Sequence, residues 1–148
     1  MSRRMTYEDW FSAPMKSLRH LLMNRYMWIE TRLQARAEEN GYGHVSQAVT
    51  RMFGQMGKKP IGISELARRM VVSRQAVHQL VREAEGYGLI ELVASPSDKR
   101  TKLVQFTEAG RALYDQANAT LDAIEQELIA RIGTEKVQTL REILDENW

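Results

Sequence analysis

The stretch Ser64-Glu65-Leu66-Ala67-Arg68-Arg69-Met70-Val71-Val72-Ser73-Arg74-Gln75-Ala76-Val77-His78-Gln79-Leu80-Val81-Arg82 decides how this chain is read. It contains two apolar patterns of helical period, broken by Val71-Val72. Leu66, Ala67 and Met70 share the inner face of the first. Ser64 and Ser73 stand where a hydroxyl caps a helix start. The second pattern can be projected at about 100° per residue, from 3.6 residues per turn. Ala76, Val77, Leu80, Val81, Ala84 and Tyr87 then fall on one arc, and Arg74, Gln75, His78, Gln79 and Arg82 on the opposite one. Guanidinium and amide groups present paired donors and acceptors that match the edges of guanine and adenine. The start of that helix also turns partial positive charge toward an approaching phosphate. A polar arc is equally what a solvated helix shows, and Glu83 at its edge and Glu85 within it weaken the positive field.

Toward the C-terminus, Gly88 ends the second helix. Leu89 to Ala94 and Lys102 to Phe106 carry the apolar and β-branched residues of strands, joined by the polar loop Ser95-Pro96-Ser97-Asp98-Lys99-Arg100-Thr101. Two short helices followed by a hairpin form a winged helix-turn-helix. Lys99, Arg100 and Lys102 put cations on the hairpin, where an arginine suits the negative potential of a narrow minor groove; a mobile charged turn is the plain alternative. Toward the N-terminus, Gly57 to Ile63 is a break with room for a short strand. Val45 to Met56 reads as a helix with Val45, Ala48, Val49, Met52, Phe53 and Met56 inward. A long helix is expected from about Ala13 to Asn40, with Pro14 in its first turn and Gly41 and Gly43 as its stop. Its stripe is Leu18, Leu21, Leu22, Tyr26, Ile29, Leu33 and Ala37, while Met27 and Trp28 lie off it. A helix apolar on more than one side needs cover on more than one side, which points to a second subunit. After Thr107, a good N-cap, Leu113, Ala117, Leu121, Ile124, Leu128 and Ile132 make a long stripe to Gly133. Thr134 is expected to cap a last helix bearing Val137, Leu140, Ile143 and Leu144.

The chain has 148 residues, 43% apolar and 27% charged, with a net charge of +2. One packed domain fits that length, and the composition excludes general disorder. The charge is uneven. Lys58 to Phe106 holds 9 basic and 5 acidic residues, whereas Thr107 to Trp148 holds 4 and 9. An anionic partner for the middle of the chain follows. There is no cysteine, which removes disulfides, thiolate metal sites, cysteine nucleophiles and thiol redox sensing. His20, His44 and His78 have no carboxylates at metal-ligand spacing, and no catalytic triad, phosphate loop or carboxylate pair stands out. No catalytic residue, metal or cofactor is therefore expected. No run of 18 apolar residues occurs and no secretory signal is recognised at Met1 to Trp10, so no membrane association and a cytoplasmic location are expected.

Several segments occur in order: Ile63-Ser64-Glu65-Leu66-Ala67-Arg68-Arg69-Met70, Val72-Ser73-Arg74-Gln75-Ala76-Val77-His78, Gly88-Leu89-Ile90-Glu91, Asp98-Lys99-Arg100-Thr101-Lys102, Leu103-Val104 and Thr107-Glu108-Ala109-Gly110. This ordered set resembles the multiple-antibiotic-resistance regulator (MarR) family of winged-helix transcription factors, over residues 61–113. The resemblance implies an obligate homodimer with interlocking N- and C-terminal helices. It also implies that Ser73 to Arg82 enters the major groove, that Arg100 enters the minor groove and that Asp98 helps to hold the wing arginine. Val71 departs from the pattern, since many members have glycine there. Small phenolic or amphipathic effectors commonly bind between the DNA-binding lobe and the dimer helices.

The expected fold is mainly α with a small β wing, a winged helix-turn-helix flanked by N- and C-terminal dimerisation helices. Residues 1–148 form one domain, with a DNA-binding lobe at 44–106 and a dimerisation region made of 1–43 and 107–148. The expected function is a dimeric, sequence-specific transcriptional regulator, a repressor released by a small aromatic or amphipathic effector. Its expected partner is double-stranded DNA carrying an inverted-repeat operator. The candidate DNA contacts are Ser64, Ser73, Arg74, Gln75, His78, Gln79, Arg82, Asp98, Lys99, Arg100 and Lys102. Phe11, His20, Arg25, Tyr26 and Trp28 are candidate effector contacts, with dimer core the favoured reading of Tyr26 and Trp28. The alternatives are a winged-helix module that binds protein without reading DNA and, more weakly, a small enzyme.

Overall fold

The computed structural model describes residues 17–148. The elements are α1 (Leu18–Glu39), α2 (Gln47–Met56), β1 (Ile61–Gly62), α3 (Ile63–Met70), α4 (Arg74–Gly86), β2 (Ile90–Ala94), β3 (Lys102–Phe106), α5 (Glu108–Ile132) and α6 (Thr134–Asp145). Their order is the one expected from the sequence. The mainly helical fold carries one small antiparallel sheet in the order β1-β3-β2. Ile61 pairs with Val104, while Ile90 and Ala94 pair with Phe106 and Lys102.

Hydroxyl caps set several of the boundaries. Ser17 accepts from the His20 N–H, Ser46 from Val49, Ser73 from Ala76 and Thr107 from Gly110. The cap at Ser17 starts α1 at Leu18, five residues later than the expected Ala13, and Pro14 lies outside the described residues. Two expected caps fail. Ser64 is the second residue of α3, because β1 runs straight into the helix and Gly62 takes the cap position without a side-chain bond. Gly133, at φ 94°, stands at the start of α6 in place of Thr134. Ala48 is exposed: α2 turns Val49, Met52, Phe53 and Met56 inward, and Ala48 lies one residue, about 100°, ahead of that stripe.

The core joins α2, α3, α4 and the sheet. Val49, Met52, Leu66, Val77 and Val104 are fully buried, and Phe53 meets Phe106 edge to face at 5.1 Å. By contrast, α1 has no buried residue, and α5 buries only Gly110 and Ile124. A bidentate ion pair from Arg32 to Glu127 (3.1 and 3.2 Å) ties α1 to α5, with the Arg32 guanidinium 3.8 Å from the Trp28 ring centre. No helix among the described residues is long and apolar enough to cross a membrane.

Three helices end in the same closure, in which one N–H reaches back three residues and the next reaches back five. In α1 these bonds are Gly41 to Glu38 and Tyr42 to Ala37; in α4, Gly88 to Glu85 and Leu89 to Ala84; in α3, Val71 to Arg68 and Val72 to Ala67. The closure places its first donor in the left-handed region. Gly41 and Gly88 occupy it freely at φ 83° and 71°, but Val71 sits there at φ 56° and ψ 43°. For a side-chain-bearing residue that region costs about 1–2 kcal/mol.

The end of α4 is fastened to α5. The Thr107 hydroxyl donates to the Gly88 carbonyl at 2.6 Å, and its N–H reaches Leu89 at 3.1 Å. Gly110 packs so closely there that an added Cβ would lie 1.7 Å from the Leu89 carbonyl oxygen. Gly110→Ala is expected to destabilise the fold by about 1–3 kcal/mol, the cost of forcing an extra methyl into a filled site. Urea denaturation of the two proteins measures it.

Candidate nucleic-acid interface

Helix α4 is held by its apolar side. Val77, Val81 and Ala84 are buried, and Ala76, Leu80 and Tyr87 are half-buried. This holds the opposite arc outward: Arg74, Gln75, His78, Gln79 and Arg82 are all exposed. Among the described residues, no hydrogen bond or ion pair engages their side chains. Ser73 caps the helix, its Oγ 3.1 Å from the Ala76 N–H. Glu83 is drawn aside by a hydrogen bond from the Tyr87 hydroxyl (2.9 Å), which raises the Tyr87 pKa. Glu85 remains exposed. The α4 surface therefore carries guanidinium, amide and imidazole groups whose donors and acceptors are unspent.

The loop between β2 and β3 projects a second cationic group. Lys99, Arg100 and Lys102 are exposed. Asp98 shapes the tip through the backbone: its Oδ1 accepts from the Arg100 N–H (3.0 Å) and its Oδ2 from the Thr101 hydroxyl (3.2 Å). Asp98 thus positions the arginine by its main chain and leaves the guanidinium available. Ser64 lies exposed in the first turn of α3, on a different element from the α4 arc.

Arg68 and Arg69 differ from the α4 arginines. Arg68 grips Glu65 with two bonds (2.9 and 2.6 Å), and Arg69 adds a third (2.9 Å) while donating to the Gln55 carbonyl (2.9 Å). These bonds, Arg68's first, hold the Glu65 carboxyl at about 2, against an ordinary value of 4.5. Both arginines are engaged by one carboxylate within α3, and the Arg69 bond to the Gln55 carbonyl ties α3 to α2.

A largely apolar cavity of about 520 Å³ lies among α1, α2, α5 and the end of α3. Of the effector candidates, Tyr26 lines it. Trp28 faces a separate groove between α1, α5 and α6, under the Arg32 guanidinium. His20 and Arg25 are not in the cavity wall, and Phe11 lies outside the described residues. The wall includes residues that sequence reasoning missed: Arg51, Arg69, Met70 and Tyr114. Arg51 donates to the Tyr26 hydroxyl at 3.0 Å. These residues come from three helices, α2, α3 and α5, and no periodicity links them.

The chain matches the family described as "MarR family" over residues 45–101. It is 27% identical over 110 residues to the HTH-type transcriptional regulator TcaR of Staphylococcus aureus, covering 72% of each chain. It is 30% identical over 82 residues to the HTH-type transcriptional repressor Mb2911 of Mycobacterium bovis, covering 55% of this chain and 59% of that one. Among solved structures, CouR from Rhodococcus jostii RHA1, bound to p-coumaroyl-CoA, superposes with a TM-score of 0.69 at 24% identity, over 87% of this chain and 90% of that one. The sequence relatives favour DNA reading over the protein-binding alternative.

Glu65 gives a pH dependence of defined sign. Between pH 4.5 and about 2 the unfolded chain binds this proton and the folded one does not, so stability rises with pH. The contribution is complete above 4.5 and lost as pH falls toward 2. Glu65→Gln is expected to flatten the acid limb of a denaturation-midpoint profile across that window. An unchanged acid limb would show that Arg68 and Arg69 do not hold the carboxylate.

Proposed function

We propose, from the premise that this chain belongs to the MarR family of winged-helix, DNA-binding transcriptional regulators, that it acts as a homodimeric repressor of an inverted-repeat operator. Two copies of α4 would lie in successive major grooves, about one helical turn apart on one face of the duplex. The observation that supports this is the α4 arc: five exposed side chains with guanidinium, amide and imidazole groups and no partner among the described residues, above a buried apolar side. Ser73 and the start of α4 meet phosphate. Arg74, Gln75, His78, Gln79 and Arg82 face bases and backbone. Asp98 presents Arg100 to the minor groove, flanked by Lys99 and Lys102.

Residues 44–106 are the DNA-binding lobe in this reading, and the flanking helices are the dimerisation region. The apolar residues left uncovered support a second copy. Leu18, Leu22 and Met27 of α1, and Leu140, Ile143 and Leu144 of α6, are exposed in the single chain. Patches of that kind mark contact surfaces. The effector reading rests on the cavity. Apolar walls with Tyr26, Arg51 and Arg69 at hand suit an amphipathic molecule with an anionic or phenolic group. Because Arg69 and Met70 end the helix that leads into α4, an occupant there would bear on the placement of α4. Regulators of this family are not enzymes.

Arg74→Ala or Gln75→Ala is expected to relax base preference, each costing about 1–3 kcal/mol at the contacted base. Arg100→Ala or Lys99→Ala is expected to weaken binding evenly across sequences and lower its salt slope by about one. Gel shifts on a mapped operator at several salt concentrations separate the two patterns. Parent-like binding by both Arg74→Ala and Arg100→Ala would refute the assignment.

A further inference from the structure

Val71 is doubly unfavourable for folding. It occupies the left-handed position of a helix closure that the chain fills with glycine in both other places, Gly41 and Gly88. Among the described residues it is the only non-glycine residue with positive φ. The residue is 89% exposed, more than any other large apolar residue described, Trp148 (75%) and Leu18 (64%) included. The isopropyl group therefore adds nothing to the core and strains the backbone, and β-branching makes this conformation a true outlier. Nor does the turn itself need the side chain: the two closing bonds are made by backbone groups. Among the described residues nothing packs it away, so its role is sought in a contact made outside this part of the chain.

Its position says where. Val71 stands two residues before the Ser73 cap, at the end of α4 that carries Arg74 and Gln75. That is the end expected to approach the bases first. The apolar feature of a duplex edge in the major groove is the thymine methyl, which aliphatic side chains contact. We propose that Val71 is a further specificity-determining residue, its isopropyl group packing on a thymine methyl at the edge of the groove that α4 enters. This rests on the reading of α4 as the duplex-contacting helix. Local strain retained for a contact made only in the complex is a recognised pattern at binding sites.

The test uses the full chain and a duplex selected by it from a random-sequence pool. Val71→Gly relieves the backbone, and Val71→Asn tolerates the left-handed region while replacing the apolar group. At one protein concentration, both are expected to raise the thermal midpoint by about 2 °C. Both should bind the selected duplex several-fold more weakly. Replacing each thymine in turn by deoxyuridine removes one methyl at a time. At one position per half-site the parent should lose about four-fold in affinity, the worth of one buried methyl, and Val71→Gly should lose nothing further there. Parent-like affinity of both variants, lower midpoints in both, or no thymine that distinguishes parent from variant would each overturn the proposal. If Arg74→Ala fails to bind while the Val71 variants bind like the parent, only this inference falls. If the parent selects no duplex, the reading of α4 falls with it.

Discussion

Thr107 sits where the end of α4, the last strand and the long helix α5 meet. Its hydroxyl donates to Gly88 and accepts from Gly110, and its N–H reaches Leu89, so three bonds converge on one residue. Gly110 leaves no space there for even a methyl group. A joint packed this tightly transmits displacement instead of absorbing it. The direction of α4's polar arc therefore depends on α5, although the two helices share little surface. A displacement of α5 would therefore bear on the exposed side chains of α4.

The chain uses arginine in two physically distinct ways. Arg68 and Arg69 share the Glu65 carboxylate, and Arg32 and Arg131 share that of Glu127, which is held low chiefly by the Arg32 hydrogen bond. Arg141 likewise pairs with Glu125 between α6 and α5. Arg32, Arg141 and, through the Gln55 carbonyl, Arg69 fasten helices to one another, whereas Arg68 and Arg131 pair within their own helices. Arg74, Arg82 and Arg100 have no such partner among the described residues and project into solvent. The net charge of +2 hides this division, because what matters for an anionic partner is the charge left unpaired on one surface.

Much of the candidate site was legible because α4 obeys a simple period. Placing Val77, Val81 and Ala84 on one arc forces Arg74, Gln75, His78, Gln79 and Arg82 onto the other. The wing was legible from strand-forming residues around a polar loop. The cavity was not. Tyr26, Arg51, Arg69 and Tyr114 are brought together from four helices by packing, and their spacing along the chain carries no trace of it. Trp28, an aromatic candidate by type, turned instead toward α5 and α6 because Arg32 covers its ring. Ser64 and Thr134 have the right chemistry for caps, but the chain enters those helices two residues and one residue earlier than their hydroxyls require.

The sequence by itself determined the order of the elements, the outward arc of α4, the cationic wing and the apolar excess of α1, α5 and α6. Each of these follows from periodicity and composition, which act over a few residues. Only the tertiary structure decided which arginines stay unpaired, which residues wall the cavity and how α4 is fixed to α5. It also revealed that Val71 holds a strained backbone with its side chain in the open. Those properties depend on distances between residues far apart in the chain, or on a backbone dihedral set by the turn between two packed helices, and residue order encodes neither directly.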